Sequence, residues 1–265
     1  MTNPALEAAE EMRRLLASAQ TALGEAEPFT FAGERRTPAQ VVAVLEPYLT
    51  EARRARIEAV LAERTYTVAP VVEGLLNTGN VSAVMRSAEA LGFQAFHIIT
   101  HQEHDDGVRY KRSERTTQGA DKWLDVWRWP TPQACVASLK AQGYEVVVTH
   151  LDAHAVPISE IDFTQQTALV FGNERDGISE AMLALADRTC LVPMAGFTQS
   201  FNISVAAAVC FYHARRDRLA RQGFHGDLTE AQREMLRAVF FLKSVRSARQ
   251  ILTRAVEEDV KGKEA

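Results

Sequence analysis

Long apolar runs are missing from this sequence. No stretch approaches the roughly 20 apolar residues needed to cross a bilayer, and residues 5–23 are interrupted by Glu7, Glu10, Glu11, Arg13 and Arg14, which a secretory leader would not carry. The expected location is therefore the cytoplasm. Cysteine is scarce as well. The 3 cysteines, Cys135, Cys190 and Cys210, are too few and too scattered for a disulfide framework or a zinc knuckle, and each stands in an apolar setting that predicts burial. A basic surplus is also lacking: 30 Lys and Arg against 34 Asp and Glu leave a formal charge of -4. That balance excludes a bulk polycation but leaves room for local phosphate-binding patches. Histidines are few, and His97, His101 and His104 run from a strand into a loop with no helix to fix a metal-binding geometry. We therefore expect no metal site.

The rest of the composition is that of a globular domain, with 46% hydrophobic and 24% charged residues. Basic residues gather in three places: Arg109, Lys111, Arg112 and Arg115; Arg215, Arg216, Arg218 and Arg221; and Arg237, Lys243, Arg246, Arg249 and Arg254 along the final helical stretch. On charge alone these read as solvated faces.

Residues 5–23 have the pattern of an amphipathic helix. Thr37 followed by Pro38 marks another helix start, running to about Arg64 with a break near Pro47. From residue 66 short apolar runs alternate with helical patterns. Strands are predicted at Val68–Leu75, Ala95–Thr100, Leu124–Trp129, Glu145–His150, Ala168–Gly172 and Thr189–Pro193, and helices at Val81–Leu91, Pro132–Gln142 and Ser179–Ala186. Helices are then expected at 203–222 and 229–256. This order predicts an α/β fold with a mostly parallel sheet covered by helices on both faces. The expected divisions are a helical N-terminal extension at 1–65, an α/β domain at 66–222 and a C-terminal helical extension at 223–265.

In such sheets ligands gather beyond the carboxyl ends of the strands. Three loops stand out there. In the first, Asn77-Thr78-Gly79-Asn80 leads into Val81-Ser82-Ala83-Val84-Met85-Arg86, with Asn80 placed to cap a helix and Arg86 nearly two turns in. In the second, the buried run Leu169-Val170-Phe171 breaks at Gly172 into Asn173-Glu174-Arg175-Asp176-Gly177, where Gly172 would let backbone approach a ligand and Glu174 would accept backbone N–H bonds. In the third, Val192-Pro193-Met194-Ala195-Gly196-Phe197-Thr198-Gln199 leads into Ser200-Phe201-Asn202-Ile203-Ser204-Val205-Ala206. Each loop alone is an ordinary strand–turn–helix connection.

Together, in this order and spacing, the three segments resemble the three motifs of SpoU-family (SPOUT-type) RNA 2′-O-methyltransferases, and the resemblance runs from about Ala52 to Ala220. Within the family it points to the branch that methylates guanosine-18 of transfer RNA, through stretches such as Gly119-Ala120-Asp121-Lys122-Trp123 and Thr149-His150-Leu151. The resemblance implies a C-terminal trefoil knot, S-adenosylmethionine as cofactor, a homodimer and a tRNA partner. It places the cofactor against Thr149, Leu151, Gly172, Val192, Met194 and Phe201. It assigns the chemistry to Arg86 with Asn80, Ser200, Asn202 and Glu174, and makes Arg109, Lys111, Arg112, Arg115 and Arg246 expected RNA contacts. No Gly-x-Gly-x-x-Gly fingerprint of the commoner methyltransferase fold is present. The chain departs from the pattern at Phe201, where leucine is usual, and at Ile203, where valine is usual. Residues 1–50 have no counterpart. Two other readings stay open: 2′-O-methylation of ribosomal RNA, and a catalytically silent RNA-binding relative.

Overall fold

A computed structural model describes residues 4–23, 27–74, 78–100, 119–173, 175–198 and 200–264, with the side chains of 4–9, 78, 263 and 264 excepted. The chain forms two compact units, one of residues 64–227 and one that joins residues 1–63 to 228–265. The helices from the two ends of the chain thus belong to one body.

That terminal unit begins with α1 (Pro4–Leu23), a two-residue-per-strand hairpin β1 (Thr30–Phe31) and β2 (Glu34–Arg35), then α2 (Pro38–Leu45) and α3 (Glu51–Ala62). Thr37 closes a capping box with Gln40 at the start of α2, as the Thr-Pro pair predicts. A short 3-10 turn at Glu46–Tyr48 carries Pro47 and separates α2 from α3.

The central unit holds a seven-stranded, wholly parallel sheet. In chain order its elements are β3 (Val68–Glu73), α4 (Thr78–Ala90), β4 (Ala95–Ile99), β5 (Asp125–Trp129), α5 (Pro132–Ala141), β6 (Glu145–Thr149), β7 (Val156–Pro157), β8 (Thr167–Phe171), α6 (Glu180–Leu183), β9 (Arg188–Leu191) and α7 (Ile203–Gln222). All six expected strands are present; the two-residue β7 was too short to carry a pattern. The spatial order is β5-β4-β3-β8-β6-β9-β7, so the chain steps outward from β3 on one side and then builds the other side out of sequence. Alternation along the strands feeds two cores. Val68, Val72, Val147, Leu169 and Phe171 join Val84, Met85, Phe211 and Ala214 of α4 and α7 on one face. Ala69, Val71, Val146, Val148 and Val170 join Cys135, Leu139 and Met182 of α5 and α6 on the other.

The terminal unit is completed by α8 (Glu230–Ser244) and α9 (Ala248–Glu264), where sequence periodicity predicts one helix. Ser247 adopts a left-handed φ of 61, which no continuous helix accommodates, and the chain turns there. Arg237 of the expected basic group is consumed inside this unit, donating to both carboxylate oxygens of Glu58 at 2.6 and 2.9 Å.

Two guanidiniums are buried in the central unit. Arg218, 0% exposed, donates to the carbonyls of Phe163 (2.8 Å) and His225 (3.0 Å) and to Asp227 (2.5 Å), which also accepts from Thr67 Oγ1. Arg64, 1% exposed, donates to the carbonyls of Glu89 and Phe93 and to the Glu89 carboxylate. The Asp227 N–H donates to the Arg64 carbonyl at 3.1 Å, so the first and last residues of the unit are bonded to each other. Arg218 therefore belongs to the fold and not to a solvated basic face, and Arg221 pairs with Asp217 at 2.7 Å.

Another junction is set by close approach. Beyond β8, Asn173 and Gly177 exchange backbone hydrogen bonds at 3.0 Å each, while the Asn173 side chain accepts from the N–H groups of Arg175 and Asp176. The returning chain lies directly on Gly172, where a β-carbon would stand 2.6 Å from the Ile178 nitrogen and nearer still to the Gly177 carbonyl. The glycine that the sequence offered as a place for a ligand to approach is thus required first by the loop's own backbone.

Removing Arg218 as Arg218→Met takes the charged partner from the part-buried Asp227 carboxylate and a donor from two carbonyls, and should cost about 3–5 kcal/mol in denaturant unfolding, whereas Arg216→Ala on the exposed face should change stability by no more than ~0.5 kcal/mol. Gly172→Ala should lower the melting temperature and displace the 173–177 turn, visible as protease sensitivity in that segment.

Candidate ligand pocket at the carboxyl edge

Strands β6, β8 and β9 are neighbours and end at Thr149, Phe171 and Leu191. Beyond a parallel strand's carboxyl end the ladder stops and backbone groups need new partners. Some find them locally: the His150 N–H donates to the Cys190 carbonyl at 3.0 Å, and Thr149 Oγ1 donates to the Val170 carbonyl at 2.9 Å. The segment from Val192 to Thr198 has no regular structure.

Here the chain encloses an open pocket of about 630 Å³, within the range typical of small-molecule sites. Its lining contains Thr149, Leu151, Gly172, Val192, Met194 and Phe201, all six positions that the resemblance assigns to a cofactor, and Ser200 as well. It also contains residues the motifs did not single out: His150, Asn173, Ile178, Thr198, Ala206, Cys190 and Cys210. Most of these flank positions already named, and adjacency on a loop was the available signal. Cys190 and Cys210 carried none, because their place on the floor follows from strand register and helix packing.

The floor is apolar and uncharged. Burial pushes the Cys190 thiol up to about 12, and the Cys210 thiol is raised further by burial and by its Cys190 neighbour. Neither is a nucleophile at neutral pH, so the two thiols serve the pocket as packing.

The other expected chemical residues sit differently. Asn202 caps α7: its Oδ1 accepts from the Ser204 N–H at 2.9 Å and from the Ser204 hydroxyl at 2.6 Å, which fixes where the loop ends and the helix begins. Asn80 lies inside the first turn of α4, which starts at Thr78, and so is not the residue preceding the helix that its type suggested. Arg86 is exposed on the same helix, and neither residue lines this pocket. Helix α4 packs against α7. Arg246 is exposed at the corner between α8 and α9. Glu174, Arg109, Lys111, Arg112 and Arg115 lie outside the described residues, as do His101 and His104. His97 is buried; loss of solvation holds its ring down to about 3, and Nδ1 accepts from Trp129 Nε1 at 3.0 Å. Among the described residues, no helix is long and apolar enough to cross a membrane.

The family model described as "SpoU rRNA Methylase family" matches residues 68–212, a span that contains every strand and loop of the pocket. The chain is 37% identical over 166 residues to the tRNA (guanosine(18)-2'-O)-methyltransferase of Escherichia coli K12, covering 63% of this chain and 70% of that one. The crystal structure of the A. aeolicus TrmH/SpoU tRNA modifying enzyme superposes with a TM-score of 0.65 at 28% identity, covering 77% of this chain and 100% of that one. The SpoU methyltransferase AviRb from Streptomyces viridochromogenes, crystallised in complex with the cofactor AdoMet, superposes with a TM-score of 0.50 at 29% identity over 60% of this chain and 59% of its own. The family match covers more than half of the sequence, and the chain belongs to the SpoU methylase family.

Proposed function

We propose that this protein transfers a methyl group from S-adenosylmethionine to the ribose 2′-hydroxyl of guanosine-18 in tRNA. The observation that carries the reading is the convergence of all six motif-matched cofactor positions, from three separate loops, on one pocket. The pocket suits the cofactor: apolar walls accommodate an adenine face, and irregular backbone around Val192–Thr198 supplies donors and acceptors for its edge. When bound, the cofactor supplies an electrophilic methyl group on a sulfonium. Residues 64–227 form the methyltransferase domain, its C-terminal part closed as a trefoil knot; the out-of-sequence strand order β8-β6-β9 and the packing of α7 on α4 support that topology. We place the enzyme in the cytoplasm.

The protein's own groups must bind RNA, align the 2′-oxygen and stabilise the charge that develops on it. Arg86 takes the last two tasks. A guanidinium offers donors and no acceptor, so Arg86 acts as a clamp on phosphate and alkoxide, while the hydroxyl proton passes to an RNA phosphate oxygen or to water. Asn80, one and a half turns earlier on α4, positions it. Ser200 lines the pocket and Asn202 holds the loop to α7, and we assign to Glu174, outside the described residues, the support of the second loop.

The enzyme works as a homodimer. Val205, Val209 and Tyr212 form an exposed apolar stripe on α7, at helical spacing, which suits a second copy of the chain. Arg86 does not line the pocket of its own chain, and we assign it to the pocket of the partner subunit. Arg109, Lys111, Arg112, Arg115 and Arg246 bind RNA phosphates.

Arg86→Ala should retain cofactor binding by calorimetry and lose roughly 10²–10³-fold in turnover, the size of one lost transition-state donor; parental turnover would refute the assignment. Mixing Arg86→Ala with a cofactor-binding-defective subunit should restore activity in heterodimers, and no recovery would return Arg86 to its own pocket. Asn202→Ala should weaken cofactor binding and turnover together, read from the same calorimetry and single-turnover assays. In filter binding across a salt series, Arg246→Ala should reduce the slope by about 1, and an unchanged slope would remove it from the RNA surface.

A further inference from the structure

The pocket rim carries apolar side chains that the fold does not use. Phe197 is fully exposed, Leu151 is 68% exposed and Phe201 42%. They come from two loops, one after β6 and one after β9. Phe197 lies between two pocket-lining residues, Gly196 and Thr198, and is not itself part of the lining, so its backbone borders the pocket while its ring is in solvent. The backbone before it is uncrowded: an added β-carbon on Gly196 would meet nothing nearer than the Thr198 nitrogen at 4.0 Å. A large solvated aromatic ring gains nothing for folding there.

The reaction places a demand on this rim. The 2′-oxygen and the glycosidic nitrogen of a nucleotide sit on adjacent ribose carbons, so a ribose brought to the pocket carries its base to the mouth. A nucleotide drawn out of the stack of its neighbours to reach the pocket leaves its base short of one or both π-contacts. An aromatic ring at the mouth replaces one of them and does so without reading base identity. We infer that Phe197 is a substrate-positioning residue whose ring stacks on the base of the nucleotide being methylated, next to the pocket that Leu151 and Phe201 line. This rests on the RNA 2′-O-methyltransferase reading. A second copy of the chain is the competing occupant, but the apolar stripe that suits it lies along α7, whereas Phe197 sits in the loop before it.

The test uses the full-length protein, an unmodified tRNA transcript and labelled S-adenosylmethionine. Phe197→Ala should raise KM for the transcript roughly tenfold, as expected from losing one base–aromatic stack, with cofactor Kd and oligomeric state unchanged. Phe197→Trp should restore the parental KM. Phe197→Leu, similar in apolar area but without a π-face, should behave like alanine. A parental KM for Phe197→Ala, with the parent active, overturns this inference alone. Loss of cofactor affinity, or a shift toward monomer by light scattering, also overturns it by assigning the ring to the cofactor or to the subunit interface. A parent inactive on RNA removes the methyltransferase reading and the stacking role together.

Discussion

A parallel sheet satisfies its backbone only as far as its strands run side by side, and at the carboxyl edge every carbonyl and amide needs a new partner. This molecule ends three adjacent strands at the same edge. The first few unpaired groups are taken up locally, by His150 on Cys190 and Thr149 on Val170. The rest of that edge is a shallow hollow with polar backbone around an apolar floor. Much of the chemistry discussed above follows from that geometry: neutral buried thiols beneath, irregular backbone at the sides and bare aromatic rings at the lip.

Much of this was legible before any coordinates. Alternating apolar runs gave the strands because β3, β6 and β8 are covered on both faces, and burial of that kind leaves near-continuous Val, Leu and Phe in the sequence. The pocket-lining loops were legible through their resemblance to a family pattern, not through periodicity. What escaped has physical reasons. The turn at Ser247 is a matter of one residue's φ, invisible to helical periodicity on either side. Arg218 reads as one of four surface charges because burial of a guanidinium depends on Phe163, His225 and Asp227, which converge only in the fold. Gly172 reads in the sequence as a place where a ligand approaches, and it lines the pocket, but nothing in the sequence signals that atoms of Gly177 and Ile178, five and six positions on, exclude a side chain there.

The same comparison separates two uses of positive charge. The buried guanidiniums, Arg64 and Arg218, are held by carbonyls and by the Glu89 and Asp227 carboxylates, which offset their charge, while Arg64 Nε has no hydrogen-bond partner. Arg237 is spent on Glu58. A chain with a formal charge of -4 therefore presents to a polyanion only the subset of its cations that its own carboxylates have not claimed. Counting arginines overstates that subset, and the exposed Arg86 and Arg246 belong to it on different units.

The hydrogen bond from the Asp227 amide to the Arg64 carbonyl has a further consequence. It brings the entry and exit points of a 164-residue body to within 3.1 Å of one another. A module whose two ends abut can be spliced into the middle of another domain without stretching either, much as a closed loop can be threaded onto a string. Such an arrangement lets a host of helices be exchanged or enlarged over evolutionary time while the grafted body keeps its internal geometry.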